Sequence, residues 1–310
     1  MNSLNKVCGW MQSVFEYLFP PKEIIETWAL VDTLQTTDES TVCVVQSYLT
    51  GKISVRKRYA IDSSQSRNEI GSLRAVSHPN IITMENVVYE QDSVDIILKY
   101  YDTDLFSYIR ATSAHDHVFF ASMALKGRVD WMRGIAAGLQ HLHDNEIIHC
   151  DIKPENILID RKTTLQNSTK GAVLADFGFA THYTRPDKTI TGCKGSIQYA
   201  APELFRQEVN KGIPLDIFSF GATLWVVVYG MFPWVTNTKN GERSDCFQDD
   251  GYKVDSESSA DTKRVITSLI KLTTLRHPDR RLPLQKIAGA LKLISERYAA
   301  DYTMSIRIEE

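Results

Sequence analysis

The polar residues best suited to chemistry lie in two short stretches near the middle of the 310-residue chain. Residues 149–156 contain Asp151, Lys153 and Asn156, and Asp176 follows 25 residues after Asp151. Carboxylate and amide oxygens are ligands that hard divalent cations prefer, and a lysine ammonium is a compact positive charge for an anionic group. A surface turn can contain the same residue types. The elements that position the four side chains therefore decide whether they form a site.

Five motifs along the chain occur in an order that is specific to one family. They are His-Cys-Asp-Ile-Lys-Pro-Glu-Asn at 149–156, Asp-Phe-Gly at 176–178, Gly-Ser-Ile-Gln-Tyr at 195–199, Ala-Pro-Glu at 201–203 and Asp-Ile-Phe-Ser-Phe-Gly at 216–221. Together they resemble the protein kinase family, over roughly residues 27–295. The resemblance also implies that Asp216 is structural and that Glu203 pairs with Arg281.

The resemblance assigns a role to each polar residue of the two stretches. Asp151 orients the substrate hydroxyl and accepts its proton, and Lys153 steadies the transferred phosphoryl group. Asn156 and Asp176 hold Mg²⁺ with their oxygen atoms. Phosphoryl transfer from ATP needs these residue types because it depends on positioning and on neutralisation of charge.

The N-terminal part supplies a second charged pair. Residues 53–59 alternate as a strand does, which puts Lys57 on the same face as Val55. Val42 lies fifteen residues earlier, at the separation expected between the valine over the adenine ring and the strand lysine. Glu69 resembles the helix glutamate that pairs with this lysine and aligns it on the phosphates.

Residues 96–105 resemble the hinge between the two lobes of a kinase. Leu98 is predicted as the gatekeeper, and Tyr101 is predicted to offer its backbone groups to adenine. Asp104 is predicted to reach the ribose.

The sequence departs from the family at two places. Gln35, Thr37 and Ser40 stand where the three glycines of the phosphate-binding loop are expected, which predicts weakened ATP binding because each Cβ restricts the backbone. Cys150 replaces the arginine that in the family commonly receives the charge of a phosphorylated activation loop. We interpret Cys150 as a small buried thiol beside the catalytic loop.

The pattern of apolar residues predicts an α+β fold with a small, mostly β N-lobe and a larger, mostly α C-lobe. One helix is expected near 67–76 within the N-lobe, and buried helices are expected at 132–142 and 217–229. Polar insertions at 160–170 and 236–260 are predicted to be surface loops. The predicted units are an N-terminal amphipathic helix at 1–26, the N-lobe at 27–101, the C-lobe at 102–296 and a C-terminal tail at 297–310.

Bulk composition excludes several other classes of protein. The formal charge of −3, from 35 basic and 38 acidic residues, argues against a nucleic-acid partner, and no apolar run is long enough to predict a membrane span. The five cysteines are widely spread and lack metal-ligand spacing. They fit a reducing compartment, so an intracellular location, cytoplasmic or nuclear, is expected.

Three functions are compatible with the motifs. A serine/threonine kinase is favoured because Lys153 and Ser196 match that branch of the family, whereas a tyrosine kinase usually differs at both positions. A kinase-fold scaffold without catalysis, a pseudokinase, is the alternative that the glycine-free loop favours. Protein substrates with serine or threonine are the implied partners, and the sequence leaves the oligomeric state open.

Overall fold

The computed structural model describes residues 28–114, 125–183, 188–191, 194–205, 209–230, 232, 234–236, 243–245 and 260–309. The predicted amphipathic helix at 1–26 lies outside these residues. The described chain forms two lobes, so the predicted α+β, two-lobed fold is confirmed.

The smaller lobe is a five-stranded antiparallel sheet with one helix. Its strands are β1 (Trp28–Thr36), β2 (Ser40–Ser47), β3 (Ile53–Ala60), β4 (Met84–Tyr89) and β5 (Ser93–Lys99), in the spatial order β1-β2-β3-β5-β4. Helix α1 (Ser64–Ala75) connects β3 to β4. Strand β3 is central, and its alternate side chains point to opposite faces of the sheet. One of these faces receives α1.

Helix α1 begins three residues before the position that the apolar pattern predicts. Ser63 precedes it as the N-cap, and its side-chain oxygen accepts a hydrogen bond from the backbone N–H of Ser66 at 3.4 Å. Such a cap satisfies an N–H group that the first turn of a helix leaves unpaired. The cap at Ser63 therefore sets the start of the helix, and the pattern of apolar residues contains no information about it.

The larger lobe is mostly helical and contains several short strands. In chain order its elements are β6 (Thr103–Asp104), α2 (Leu105–Ala114), α3 (Leu125–Asp144), β7 (Ile147–Ile148), β8 (Ile157–Ile159), α4 (Arg161–Gln166), β9 (Ala172–Leu174), β10 (Thr181–His182), β11 (Thr189–Thr191), β12 (Val209–Lys211), α5 (Gly212–Tyr229), β13 (Trp234–Thr236), β14 (Arg243–Asp245), α6 (Ala260–Thr273) and α7 (Leu284–Glu309). Residue 296, where we expected the lobe to end, falls within α7.

The core of the larger lobe is built around α3 and α5. Met132, Ile135, Leu139 and Leu142 of α3 form one apolar stripe and are all 0% exposed. Helix α5 is long and apolar enough to cross a membrane by length and composition alone, but 83% of its apolar window is buried inside the protein. It is therefore the core helix that the sequence predicts for this region.

The prediction of a surface loop at 160–170 is wrong. Asp160 caps α4, because its Oδ1 accepts the backbone N–H of Thr163 at 2.8 Å. The helix is tied to α3, where the indole N–H of Trp131 donates to Oγ1 of Thr164 at 3.2 Å. Polar residues at 160–170 thus make specific hydrogen bonds to the lobe. Their composition alone does not show whether such residues bond to the protein or to water.

The predicted loop at 236–260 is described only at residue 236, at 243–245 and at residue 260. Residues 243–245 are strand β14, which pairs in antiparallel fashion with β13. The prediction is therefore wrong for this strand.

Candidate active site

A buried lysine and two carboxylates meet in the cleft between the lobes. Lys57 lies on β3, directly opposite Val42 of β2 and Ile96 of β5. Its Nζ lies 2.9 Å from Oε2 of Glu69, on α1, and 2.8 Å from Oδ1 of Asp176. Lys57 is 8% exposed and Glu69 is 0% exposed. The fold thus brings together three charged residues that are widely separated in the sequence.

The charges of this cluster support one another. Burial alone would lower the pKa of Lys57, but the nearby carboxylates of Glu69 and Asp176 outweigh it, so the pKa of Lys57 is raised well above its usual value. Burial alone would raise the pKa of Asp176, but the charge and hydrogen bond of Lys57 lower it. Both groups are therefore charged at neutral pH.

Contacts with both lobes hold the Asp-Phe-Gly motif. Phe177 is 0% exposed, and its ring meets His149 edge to face at a centroid distance of 4.8 Å. The backbone carbonyl of Gly178 accepts a hydrogen bond from Nδ2 of Asn68, on α1, at 3.2 Å. The side chain of Asp176 is 41% exposed, so its carboxylate remains accessible from the cleft.

The catalytic loop forms a second polar cluster around Asp151, which is 3% exposed. Oδ1 of Asp151 accepts the backbone N–H of Ser196 at 2.8 Å, and Oδ2 lies 2.8 Å from Nζ of Lys153. Lys153 also donates to Oγ of Ser196 at 2.8 Å. This cluster joins the catalytic loop to residues 195–199, so both segments face the same part of the cleft.

The side-chain amide of Asn156 uses its nitrogen for hydrogen bonds and leaves its oxygen available. Its Nδ2 donates to the backbone carbonyl of Asp151 at 2.8 Å and to Oδ2 of the same residue at 3.1 Å. These bonds use the amide nitrogen and leave the amide oxygen as a ligand of the type that Mg²⁺ prefers. A backbone hydrogen bond from Ala175 N–H to the carbonyl of Asn156, at 2.8 Å, holds Asn156 near Asp176. The two residues therefore fit a divalent cation.

Asp216 fixes the unusual backbone of the catalytic loop. Cys150 has a left-handed φ of +67°, which is uncommon outside glycine. Asp216, which is 0% exposed, accepts the backbone N–H groups of His149 and Cys150, each at 2.9 Å. A Cβ at Gly195 would lie 2.6 Å from the carbonyl oxygen of Cys150, so only glycine allows this close approach. Cys150 itself is 6% exposed, in agreement with its interpretation as a buried thiol.

The predicted hinge residues follow β5. Leu98 is 5% exposed and lies opposite Val55, which is two residues before Lys57 on β3. Tyr101 is half-buried against the core, and burial, with the nearby charges of Asp160 and Glu85, raises its pKa to about 12. The carboxylate of Asp104 accepts the backbone N–H of Ser107 at 2.8 Å. Asp104 is thus a helix cap as well as a candidate contact for the ribose.

The glycine-free loop is a tight hairpin that satisfies its own amides. Thr37 N–H donates to the carbonyl of Ser40 at 2.9 Å. In return, Oγ1 of Thr37 accepts the N–H groups of Glu39 at 3.3 Å and of Ser40 at 3.1 Å. These are amides that a phosphate-binding loop would direct at the nucleotide. Asp38 and Glu39 add two exposed acidic side chains at the tip.

Two short strands in the segment between Asp176 and Glu203 pair with strands of the larger lobe. Strand β10 pairs with β7, and β11 pairs with β12. Thr189 and Thr191, two threonines between Asp176 and Glu203, lie on β11. Thr184, at a corresponding position, is outside the described residues.

Sequence analysis did not identify two residues that complete the site. The hydroxyl of Tyr59 donates to Oε2 of Glu69 at 2.7 Å, and Asn68 reaches Gly178 as described above. Tyr59 lies two residues after Lys57, so the strand period indicates a shared face. The period of the strand does not predict that Tyr59 bonds Glu69, because this contact depends on how α1 packs on the sheet.

Comparisons with known proteins identify the family of the chain. The sequence profile described as protein kinase domain matches residues 37–290, and the chain therefore belongs to the protein kinase family. The chain is 30% identical over 220 residues to the human SNF-related serine/threonine-protein kinase, and this match covers 71% of the chain and 26% of that relative. It is 29% identical over 221 residues to the carbon catabolite-derepressing protein kinase of Candida tropicalis, covering 69% of the chain and 33% of that protein.

A third relative extends the comparison to another kinase. The Saccharomyces cerevisiae protein named fatty acyl-CoA synthetase and RNA processing-associated kinase 1 is 27% identical over 235 residues, covering 74% of the chain and 23% of that kinase. The aligned region thus corresponds to about a quarter to a third of the length of these relatives.

Proposed function

We propose that the protein transfers the γ-phosphoryl group of ATP, with Mg²⁺, to serine and threonine hydroxyls of other proteins. The observation that carries this proposal is the pair of polar clusters in one cleft, Lys57 with Glu69 and Asp176, and Asp151 with Lys153 and Ser196. The names of the serine/threonine kinases among the relatives support the same acceptor groups.

Each polar cluster has a part in the proposed reaction. Lys57, held by Glu69, would bind phosphate oxygens of the nucleotide. Asn156 and Asp176 would hold Mg²⁺, and the bound metal would supply positive charge to the phosphates. Asp151 accepts the proton of the attacking hydroxyl. Lys153 lies between Asp151 and Ser196, where its ammonium can steady the phosphoryl group during transfer.

Val42 and Leu98 are proposed to contact the adenine ring, because Val42 lies opposite Lys57 on β2 and Leu98 lies opposite Val55, two residues before Lys57 on β3. Tyr101 is proposed to bond adenine through its backbone, and Asp104 to bond the ribose. The carboxylate oxygen of Asp104 that is not used by Ser107 is sufficient for that contact.

A transfer assay tests the proposed function. With [γ-³²P]ATP, Mg²⁺ and casein as a general acceptor, we expect label on phosphoserine and phosphothreonine, and complete loss of transfer when EDTA removes the metal. Transfer to tyrosine alone would contradict the assignment to the serine/threonine branch. Binding of ATP without any transfer would favour the scaffold function, for which the self-bonded loop at Thr37 is the supporting observation.

We expect ATP to be held loosely, with a KM toward the upper end of the usual range of about 1 μM to 1 mM. Replacing Gln35, Thr37 and Ser40 together by glycine frees the two amides that Thr37 now occupies and lets them approach the phosphates. One hydrogen bond to a charged group corresponds to roughly tenfold or more in affinity, so the KM for ATP is expected to fall by at least about tenfold.

The control for this experiment is Thr50→Gly, in the turn between β2 and β3, where Oγ1 of Thr50 accepts the backbone N–H of Lys52 at 3.3 Å. This variant is expected to leave the KM for ATP unchanged. A triple glycine variant whose KM equals that of the wild type would contradict the explanation of the loop.

The organisation of the chain beyond the site is proposed from the sequence. We propose the boundaries given above, with residues 1–26 as an N-terminal amphipathic helix and the two lobes meeting near residue 101. An intracellular location is proposed as well. The buried cysteine Cys43, which forms no disulfide, supports a reducing compartment.

A further inference from the structure

One buried hydroxyl in the small lobe contacts the charged cluster but has no part in the mechanism described above. The hydroxyl of Tyr59 donates to Oε2 of Glu69 at 2.7 Å, and Lys57 lies 2.9 Å from the same oxygen. We propose that Tyr59 is a positioning residue, which holds Glu69 and thereby α1 in place while Lys57 binds the phosphates of the nucleotide. This inference rests on the proposed function.

The need for a second donor follows from the contacts of Glu69. Its carboxylate is 0% exposed, and within the described residues its Oε1 is buried without a hydrogen-bond partner. The stabilising contacts of the carboxylate therefore converge on Oε2. A buried carboxylate that loses its partners is strongly destabilised.

The hydrogen bond of Lys57 to Glu69 is not sufficient to hold Glu69, because other acceptors compete for the Lys57 ammonium. Its ammonium is already shared between Glu69 and Asp176, and phosphate oxygens would compete for the same three N–H donors. The hydroxyl of Tyr59 is shielded from phosphate oxygens by burial, since the residue is 1% exposed and its polar neighbours are Glu69 and Lys57. Tyr59 thus keeps one bond to Glu69 constant while the bonds of Lys57 change.

The position of Tyr59 on β3 makes this bond rigid. Tyr59 pairs with Ser40 of β2 and Val94 of β5, so the strand is held on both sides at this residue. Lys57 lies two residues earlier on the same face, with Nζ 5.2 Å from the centre of the tyrosine ring. Burial, and then the charge of Glu69, raises the pKa of Tyr59, so the hydroxyl stays protonated and remains a donor.

Tyr59→Phe removes the hydroxyl and keeps the ring in the core. We expect kcat/KM for ATP to fall by about tenfold, because one hydrogen bond to a charged group is lost while Lys57 still contacts Glu69. The control is Tyr229→Phe, which removes a hydroxyl that lies 2.6 Å from Oγ1 of Thr267, between α5 and α6. This control is expected to lower the melting temperature as well and to leave kcat/KM for ATP unchanged.

A double-mutant cycle tests whether Tyr59 acts through Glu69. In the background of Glu69→Ala, or of Glu69→Gln if the alanine variant does not fold, Tyr59→Phe is expected to change kcat/KM by less than about twofold. A similar loss in both backgrounds would overturn the inference, because Tyr59 would then act independently of Glu69.

Two other outcomes separate this inference from the proposed function. An active wild type with a Tyr59→Phe variant of equal kcat/KM overturns the positioning role and leaves the proposed function intact. A wild type that binds ATP but transfers no phosphate overturns the proposed function and the positioning role with it.

Discussion

Asp151→Asn is expected to lower the rate constant of phosphoryl transfer by about 10²–10⁴-fold, the usual contribution of a general base. The substitution keeps the size of the side chain but removes the carboxylate that we propose accepts the hydroxyl proton. It also turns one end of the side chain into a donor toward Lys153 and Asn156, which now donate to Oδ2. The KM for ATP is expected to change little, since the residues proposed to bind the nucleotide and the metal, Lys57, Asn156 and Asp176, are unchanged.

The measurement is kcat and KM for ATP together with the melting temperature of each variant. Asp279→Asn is the matched control, because Asp279 has a side chain that is 70% exposed and pairs with Lys211 on the surface. It is expected to keep the wild-type rate. A folded Asp151→Asn variant with the rate of the wild type would rule out Asp151 as the base.

Arg281→Met is expected to lower the free energy of unfolding by about 3–5 kcal/mol, the usual cost of removing one partner of a buried ion pair. The side chain of Arg281 is 0% exposed, and its Nη2 donates to Oε2 of Glu203 at 2.8 Å. It also donates to the backbone carbonyls of Leu275 and Pro214 at 2.9 and 2.8 Å. Methionine satisfies none of these acceptors and leaves the carboxylate of Glu203 buried and unpaired.

The loss corresponds to a fall in melting temperature of roughly 6–20 °C for a domain of this size. Arg280→Met, at the neighbouring exposed position, is the control, and its effect is expected to stay within about 0.5 kcal/mol. Equal melting temperatures for the two variants would show that the pair with Glu203 does not stabilise the fold. Combining Arg281→Met with Glu203→Leu should recover part of the stability, because no buried charge then remains unpaired.

The sequence alone was sufficient to place together those candidate site residues that are contiguous in the chain. Asp151, Lys153 and Asn156 are neighbours in one loop, so their spacing constrains their separation before any tertiary contact is known. The period of two in β3 likewise predicted the face of Lys57, because side chains alternate in every strand. The apolar stripe of α3 predicted its buried face for the same local reason.

Tertiary structure decided which hydrogen-bond partner a polar group has where the sequence allows several. Residues 160–170 have the composition of a surface loop, but Asp160 caps a helix that bonds Trp131, and composition does not report such bonds. The absence of glycines from the phosphate loop was visible in the sequence. That Thr37 would accept two of the loop amides was not, because it depends on the geometry of the turn.

The contact between Tyr59 and Glu69 is also decided by tertiary structure. The two residues lie ten positions apart, on a strand and on a helix, and only the packing of α1 on the sheet brings hydroxyl and carboxylate to 2.7 Å. Local sequence determines which residues share one face of an element, because backbone geometry fixes the direction of each side chain. The pairing of buried polar groups is decided by the whole fold, since each buried donor or acceptor must find its partner among the groups that packing brings within reach.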